Sequence, residues 1–346
     1  MKYQLNQLAV KTTNHFRVNH FEVELEKPVV KEIAEYKIEG LGKNQLKIKQ
    51  TIKDKKMDTR IGLSFDKYLE VKITVPKGTM IKEPIQLIYQ FQKEQSLPSI
   101  IMIHYEESSS ANFIVKYESV DSFVHWNYTK ENVVLEENAK GNITYWNHLN
   151  HNSINMIAFE GEVHDNSELT HNLIDYGGNI RVYNAFIENK GYQANNFFNM
   201  IYIGKEKNKI DINFDFKNIS KKSINRLVVE GALSDWAEKI FRGTIDFKKG
   251  SIDAVGEENE NCVLLSDTCR SRSLPMLLCE EESVVGSHGE SSGKVSKDKL
   301  FYLMSRGFSK KEAEHFIVMA NFNRILNEIP DEKLQEEIKE TISSEI

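Results

Sequence analysis

The chain has 346 residues, of which 40% are hydrophobic and 28% charged, a balance that can bury a core and excludes wholesale disorder. Its 45 basic and 51 acidic residues leave a formal charge of -6, which argues against a general nucleic-acid binder, a class marked by a clustered basic surplus. Three cysteines, Cys262, Cys269 and Cys279, are too few for a disulfide framework and fit a reducing, cytoplasmic setting. The opening MKYQLNQLAVKTTNH lacks the apolar core of a signal peptide, and no run of about 18 apolar residues offers a membrane span.

Residues 1–70 read as a mixed α/β region. HFRVNHFEVELEKPVV (15–30) alternates in part, and the basic run KNQLKIKQTIKDKKMDTR (43–60) reads as a solvated face. From about 71 to 295 the texture is short β-like runs such as YLEVKITVP, EPIQLIYQFQ, SIIMIHY, NFIVKYES, RVYNAFIE and RLVVEGAL, separated by turn signals at 77–79, 137–141, 176–179 and 248–250. No proline stands between Pro98 and Pro275, as central strands require. So many strands without helices point to a sandwich, a barrel or a solenoid. Hydrophobic runs return every 20 to 30 residues, each followed by a polar turn, and this favours a parallel β-helix.

The texture changes again at 296–346. Ser296 starts a short helix with Leu300, Phe301, Leu303 and Met304 on one side, ended by Gly307. Ser309 and Glu312 form a capping box for a second helix, whose apolar stripe is Ala313, Phe316, Ile317, Ala320, Ile325 and Leu326. Pro330 starts a third helix, with Asp331 and Glu332 in its first turn. Three short helices cannot bury themselves alone; they must pack on the β body, on each other or on a partner.

No standard catalytic motif occurs. All three cysteines and His288 fall in ENCVLLSDTCRSRSLPMLLCEEESVVGSHGE (260–290), with Glu260, Glu281, Glu282 and Glu290 as carboxylates. Thiolate, imidazole and carboxylate together can hold iron, zinc or copper(I); equally, free cysteines are often small buried hydrophobes. His148, His151, His164 and His171 read as polar positions on a solenoid surface, and Trp126, Trp146 and Trp236 as core or turn packing.

The segment SHGESSGKVSKDKLFYLMSRGFSKKEA (287–313) resembles the end of the SufB/SufD family of iron–sulfur cluster assembly proteins. His288, Gly289, Gly293, Leu300, Phe301, Tyr302, Leu303, Ser305, Arg306, Gly307, Glu312 and Ala313 match its pattern, as do Arg242, Gly243, Leu264, Leu265, Ser266, Asp267 and Pro275 upstream. The likeness covers about 230–325, with a weaker trace at 75–85.

The resemblance implies a right-handed parallel β-helix over 71–295 with a helical domain at 296–346. It implies a non-enzymatic scaffold on which a transient iron–sulfur cluster is assembled, together with a SufC-type ABC ATPase docked on the C-terminal helices, a sulfur donor protein, and a second SufB/SufD-type chain, identical or not, paired through the β-helix. It places His288 at the family histidine tied to cluster assembly. Anchored on Leu264, Leu265 and Pro275, it puts Glu260 at the column of the cluster-building subunit's cysteine, with Cys262 two residues away and Cys279 nine before His288. These four are the expected cluster or metal ligands. Gly289 after His288 is the SufD-like choice, so a SufD-like structural or iron-delivery partner is the alternative reading. The reduced N-terminal region is what a minimal system, with one such chain pairing with itself, would show. An unrelated β-solenoid enzyme would need paired acids in a groove, and none stands out.

Overall fold

The computed structural model describes residues 2–12, 17–26, 33–93 and 95–344. His15, Phe16 and Pro28, from the alternating run at 15–30, lie outside them. The first strands are β1 (Lys2–Leu5), β2 (Phe21–Glu24), β3 (Glu35–Glu39), β4 (Lys47–Asp58), β5 (Ser64–Val75), β6 (Ile85–Phe91) and β7 (Ser96–Tyr105). There follow β8 (Ser110–Ser119), β9 (Trp126–Leu135), β10 (Lys140–His148), β11 (Ile154–Val163), β12 (Glu168–Asp175), β13 (Ile180–Asn189) and β14 (Asn195–Gly204). The last are β15 (Lys209–Asn218), β16 (Ile224–Leu233), β17 (Glu238–Phe247), β18 (Val255–Leu264), β19 (Arg270–Cys279) and β20 (Val285–Lys294). Three helices close the chain: α1 (Lys297–Ser305), α2 (Lys310–Leu326) and α3 (Glu332–Ser343).

From β5 onward, consecutive strands fall in alternate sheets. One sheet runs β20-β18-β16-β14-β12-β10-β8-β6-β3 and the other β19-β17-β15-β13-β11-β9-β7-β5-β4. Pairing is parallel except at the start, where β3 meets β6 and β4 meets β5 antiparallel. The molecule is a two-sheet β-solenoid of about 8 turns, as the strand texture and the resemblance anticipated.

Local chemistry sets the coil length. A non-glycine residue adopts positive φ at the same corner of successive coils, at Ser108, Asn138, Asn166, Gln193, Lys222 and Asp253. The amide there donates to the next coil's corner, as from Asn138 to Asp165 O at 2.9 Å and from Asn166 to Tyr192 O at 2.8 Å. Asn and Asp, at 138, 166 and 253, tolerate this backbone best and turn the chain sharply.

Inside lies a core of stacked aromatics and aliphatics, among them Tyr89, Tyr117, Tyr145, Phe159, Phe198 and Phe214. The charged groups buried with them in the middle coils are paired. His171 Nε2 lies 2.7 Å from Glu131 Oε1, Tyr145 donates to Glu131 Oε2 at 2.6 Å, and Arg181 holds Asp175 at 3.0 Å. His171 is therefore a lumen residue, not the surface position its polarity implied.

Both outer faces are covered. The hairpin β1–β2 and residues 57–68 pack Leu5, Val18, Phe21, Met57 and Phe65 on the odd-strand sheet against Tyr128, Met156 and Val182. Helices α2 and α3 lay Val318, Phe322, Ile325, Leu334 and Ile338 on the even-strand sheet against Trp146, Ile174, Ile201 and Val228. The buried side of α2 is Ala313, Val318, Phe322, Ile325 and Leu326. Phe316 and Ala320 of the sequence-based stripe face solvent instead, because α2 carries a second, outward apolar face. Asp331 is the N-cap of α3 rather than part of its first turn.

Among the described residues before position 70 there are strands and one 3-10 turn, Leu41–Gln45, but no α-helix, and β5 runs straight across that position. The basic run forms edge strand β4, where lysines resist pairing with other chains. Trp146 is fully buried beneath α3 and donates to Glu337 at 3.1 Å, while Trp236 sits 61% exposed in a turn.

Candidate functional site

The site is the last two coils of the lumen. Side chains alternate along a strand, and parallel pairing stacks equivalent positions from coil to coil. Three columns of the even-strand sheet end in chemistry-bearing residues. Phe198, Leu227, Glu258 and His288 form one, Met200, Val229, Glu260 and Glu290 the next, and Tyr202, Gly231, Cys262 and Ser292 the third. Across the lumen, Lys239 stacks under Ser271, Phe241 under Ser273, and Gly243 under Pro275.

Cys262 and Glu260 are brought together on β18, both buried. Glu260 is fully engaged: Lys239 Nζ bonds its Oε1, Tyr202 donates to the same oxygen at 2.9 Å, and Ser273 donates to Oε2 at 2.6 Å. Tyr202 reaches this point by lying across Gly231, where a Cβ would collide with its ring. Cys262 lies beside Tyr202, and burial pushes its thiol up, a trend the Lys239 charge opposes only in part. It is held as a thiol, so ligation requires proton loss.

His288 lies opposite Glu258, not Cys262. Four strand residues, about 13 Å, separate the two positions along the strand direction. It is exposed, since β20 ends its sheet and no described strand stacks above it. Cys279 closes β19 on the other sheet, exposed, pairing with Phe247. Cys269 is buried at a corner, its thiol 3.2 Å from Ser266 O. The four sequence-predicted residues thus divide into a joined pair, Glu260 with Cys262, and two separate positions at the open end. No group of three or more His, Cys, Asp and Glu side chains forms a metal shell among the described residues.

Glu258 was missed by sequence reasoning. It is fully buried, and desolvation, then the charges of Glu290 and Glu260, push it up to about 8. Glu290, half-buried at the mouth, is pushed up to about 7, first by burial and then by Glu260. The alternation in VGEENENCVL carries the signal: 256, 258, 260 and 262 share one face.

A family model described as SUF system FeS cluster assembly, SufBD core domain, matches residues 89–321. The iron-sulfur cluster assembly protein SufD of Bacillus subtilis is 25% identical over 290 residues, 79% of this chain and 63% of that protein. An iron-sulfur cluster assembly SufBD family protein of Pyrococcus horikoshii is 26% identical over 273 residues, 75% of this chain and 58% of the relative. SufD of Escherichia coli is 26% identical over 106 residues, 31% of this chain and 25% of the relative. The chain spans less than two thirds of the length of each of these relatives. Its fold, its terminal lumen and the family match over most of its length give one conclusion: the chain belongs to the SufBD core family of the SUF system for iron–sulfur cluster assembly.

Proposed function

We propose that the chain is a non-enzymatic scaffold subunit of a SUF-type assembly complex, working with a SufC-type ABC ATPase and pairing with a second SufB/SufD-type chain through the end of its solenoid. The observation that carries this reading is the open end. Edge strands β19 and β20 present ten residues each without a strand partner among the described residues on one side, and His288 and Glu290 stand there in front of Glu258, Glu260 and Cys262. An unpaired edge of that length is suited to strand addition from another chain. Iron and sulfide are the cargo. Imidazole and carboxylate at the mouth take iron, a thiolate from Cys262 takes it more tightly, and a mixed shell lets a nascent cluster leave.

The ATPase would sit on the C-terminal helices. Between α1 and α2 lies a hollow of about 440 Å³ lined by Tyr302, Leu303, Phe316, Ile317 and Ala320, with Phe301 and Met304 exposed beside it. Hydrolysis in the partner would move these helices, and with them the even-strand sheet that carries Glu258 to Cys262.

A second reading has its own support. Glu260 occupies the column where the resemblance puts the cluster-building cysteine, and Lys239 neutralises it, so the chain would deliver iron or stabilise the complex while a SufB-like chain holds the cluster. Anaerobic co-purification of this chain with the ABC ATPase alone, followed by iron and acid-labile sulfide analysis, separates the two. Stoichiometric iron and sulfide make it a self-sufficient scaffold; a stable complex without them makes it the SufD-like partner.

A further inference from the structure

Glu258 differs from its neighbours on β18. Its side chain is fully buried, yet neither carboxylate oxygen has a hydrogen-bond partner among the described residues. Glu260, two residues on, has donors on both oxygens. A buried carboxyl without a partner is strongly unfavourable and calls for an explanation. The space it occupies is kept open by Gly243 of β17, where a Cβ would overlap the Glu258 carboxyl group. On β20, Glu290 faces the same lumen from the next coil and also leaves Oε1 unpartnered.

We propose that Glu258 and Glu290 form a divalent-cation site just inside the open end of the lumen, with Glu258 the inner ligand and Glu290 the ligand at the mouth. The choice of Fe(II) as the natural occupant rests on the scaffold reading above; the site itself does not. Two carboxylates completed by water make a shell that hard and borderline divalent cations accept, whereas thiolate-seeking cations prefer sulfur. The cation would supply the positive charge that Glu258 lacks, since Lys239 is bonded to Glu260 and its charge reaches only Glu290 of the two. Burial first, and then the charges of neighbouring carboxylates, raise both carboxyls, and a shared ion would oppose both effects.

The test uses the full chain, anaerobic and free of sulfide. Fe(II) is measured by equilibrium dialysis and Mn(II), as a probe, by loss of its free-ion EPR signal. The wild-type chain is expected to bind one ion. Glu258→Gln and Glu290→Gln should each weaken binding at least about tenfold, the loss typical of damage to a metal site, and Glu257→Gln, on the opposite face of β18 and paired with Arg226, should leave it unchanged. Glutamine keeps the shape of the carboxylic acid, so the fold should survive. Gly243→Ala, which keeps every carboxylate but displaces one, should weaken binding as well. Absence of binding to the wild-type chain, wild-type affinity in Glu258→Gln, or loss of binding in Glu257→Gln would each overturn the proposal. None of these bears on the scaffold reading, which the iron and sulfide content of the ATPase complex decides.

Discussion

Lys239 and Glu260 face each other across the lumen with no water-exposed surface on either side chain. Burying the two charges was unfavourable, and only their mutual attraction, with Tyr202 and Ser273, offsets it. Lys239→Met should therefore destabilise the chain by about 3–5 kcal/mol, while Lys239→Met with Glu260→Leu should recover most of the loss; urea unfolding of the four combinations would show it, and additive effects would contradict it. Glu258 acts differently. Folding raises its carboxyl, so between about pH 5 and about pH 8 the folded chain keeps a proton that the unfolded chain has released. Stability of the cation-free protein should fall as pH rises through that window, and Glu258→Gln should flatten the slope of melting temperature against pH. At the mouth, His288→Ala removes an exposed side chain, so it should leave the fold intact while lowering the iron and sulfide recovered with the complex. Unchanged content would take His288 out of the site.

Helix α2 serves two surfaces with one amphipathic pattern. Phe322 is buried against the even-strand sheet, and Phe316 is 53% exposed beside the α1–α2 hollow. Phe322→Ala should cost about 3–5 kcal/mol through the cavity it leaves. Phe316→Asp should leave the melting temperature within a few degrees of wild type and abolish capture of the ABC ATPase. If both variants bind the ATPase equally well, the hollow is not the docking site. The caps of this helix were readable from residues alone: the Ser309 and Glu312 box is present, with Glu312 N to Ser309 Oγ at 3.2 Å. The face that buries was readable only in part: Ala313, Ile325 and Leu326 are buried as the stripe required, while Phe316 and Ala320 are exposed. Ala313, Phe316, Ile317 and Ala320 satisfy a helical stripe as well as Ala313, Val318 and Phe322 do, and only the sheet beneath decides between them.

At the scale of the molecule, the same distinction separates what the residues announce from what the coils create. Alternating runs, turn signals and the proline-free middle disclose strands and a winding chain. The terminal motif discloses the family and names His288; the upstream match anchored on Leu264, Leu265 and Pro275 adds Glu260, with Cys262 two residues away. What no local pattern discloses is register between coils. Glu258 is placed over Gly243, His171 beside Glu131, and His288 opposite Glu258 rather than Cys262 only once each coil has a fixed length. The end strands also differ from the rest in having neighbours on one side only. Amide hydrogen exchange should be slowest in the central strands β9–β16 and fastest in β19 and β20 of the isolated chain, with protection of β19 and β20 rising when a second SufB/SufD-type chain is added. Full protection of β20 in the isolated chain would show that its edge is closed without a partner.

The corner residues that recur at 108, 138, 166, 193, 222 and 253 also make the chain modular in evolution. A segment cut or inserted between two such corners removes or adds one whole layer, about 4.8 Å of height, without disturbing the layers on either side. Length can drift in the middle while both ends keep their chemistry, so the distance from the lysine-rich first edge to the ionisable mouth becomes a heritable dimension that selection can lengthen or shorten in discrete steps.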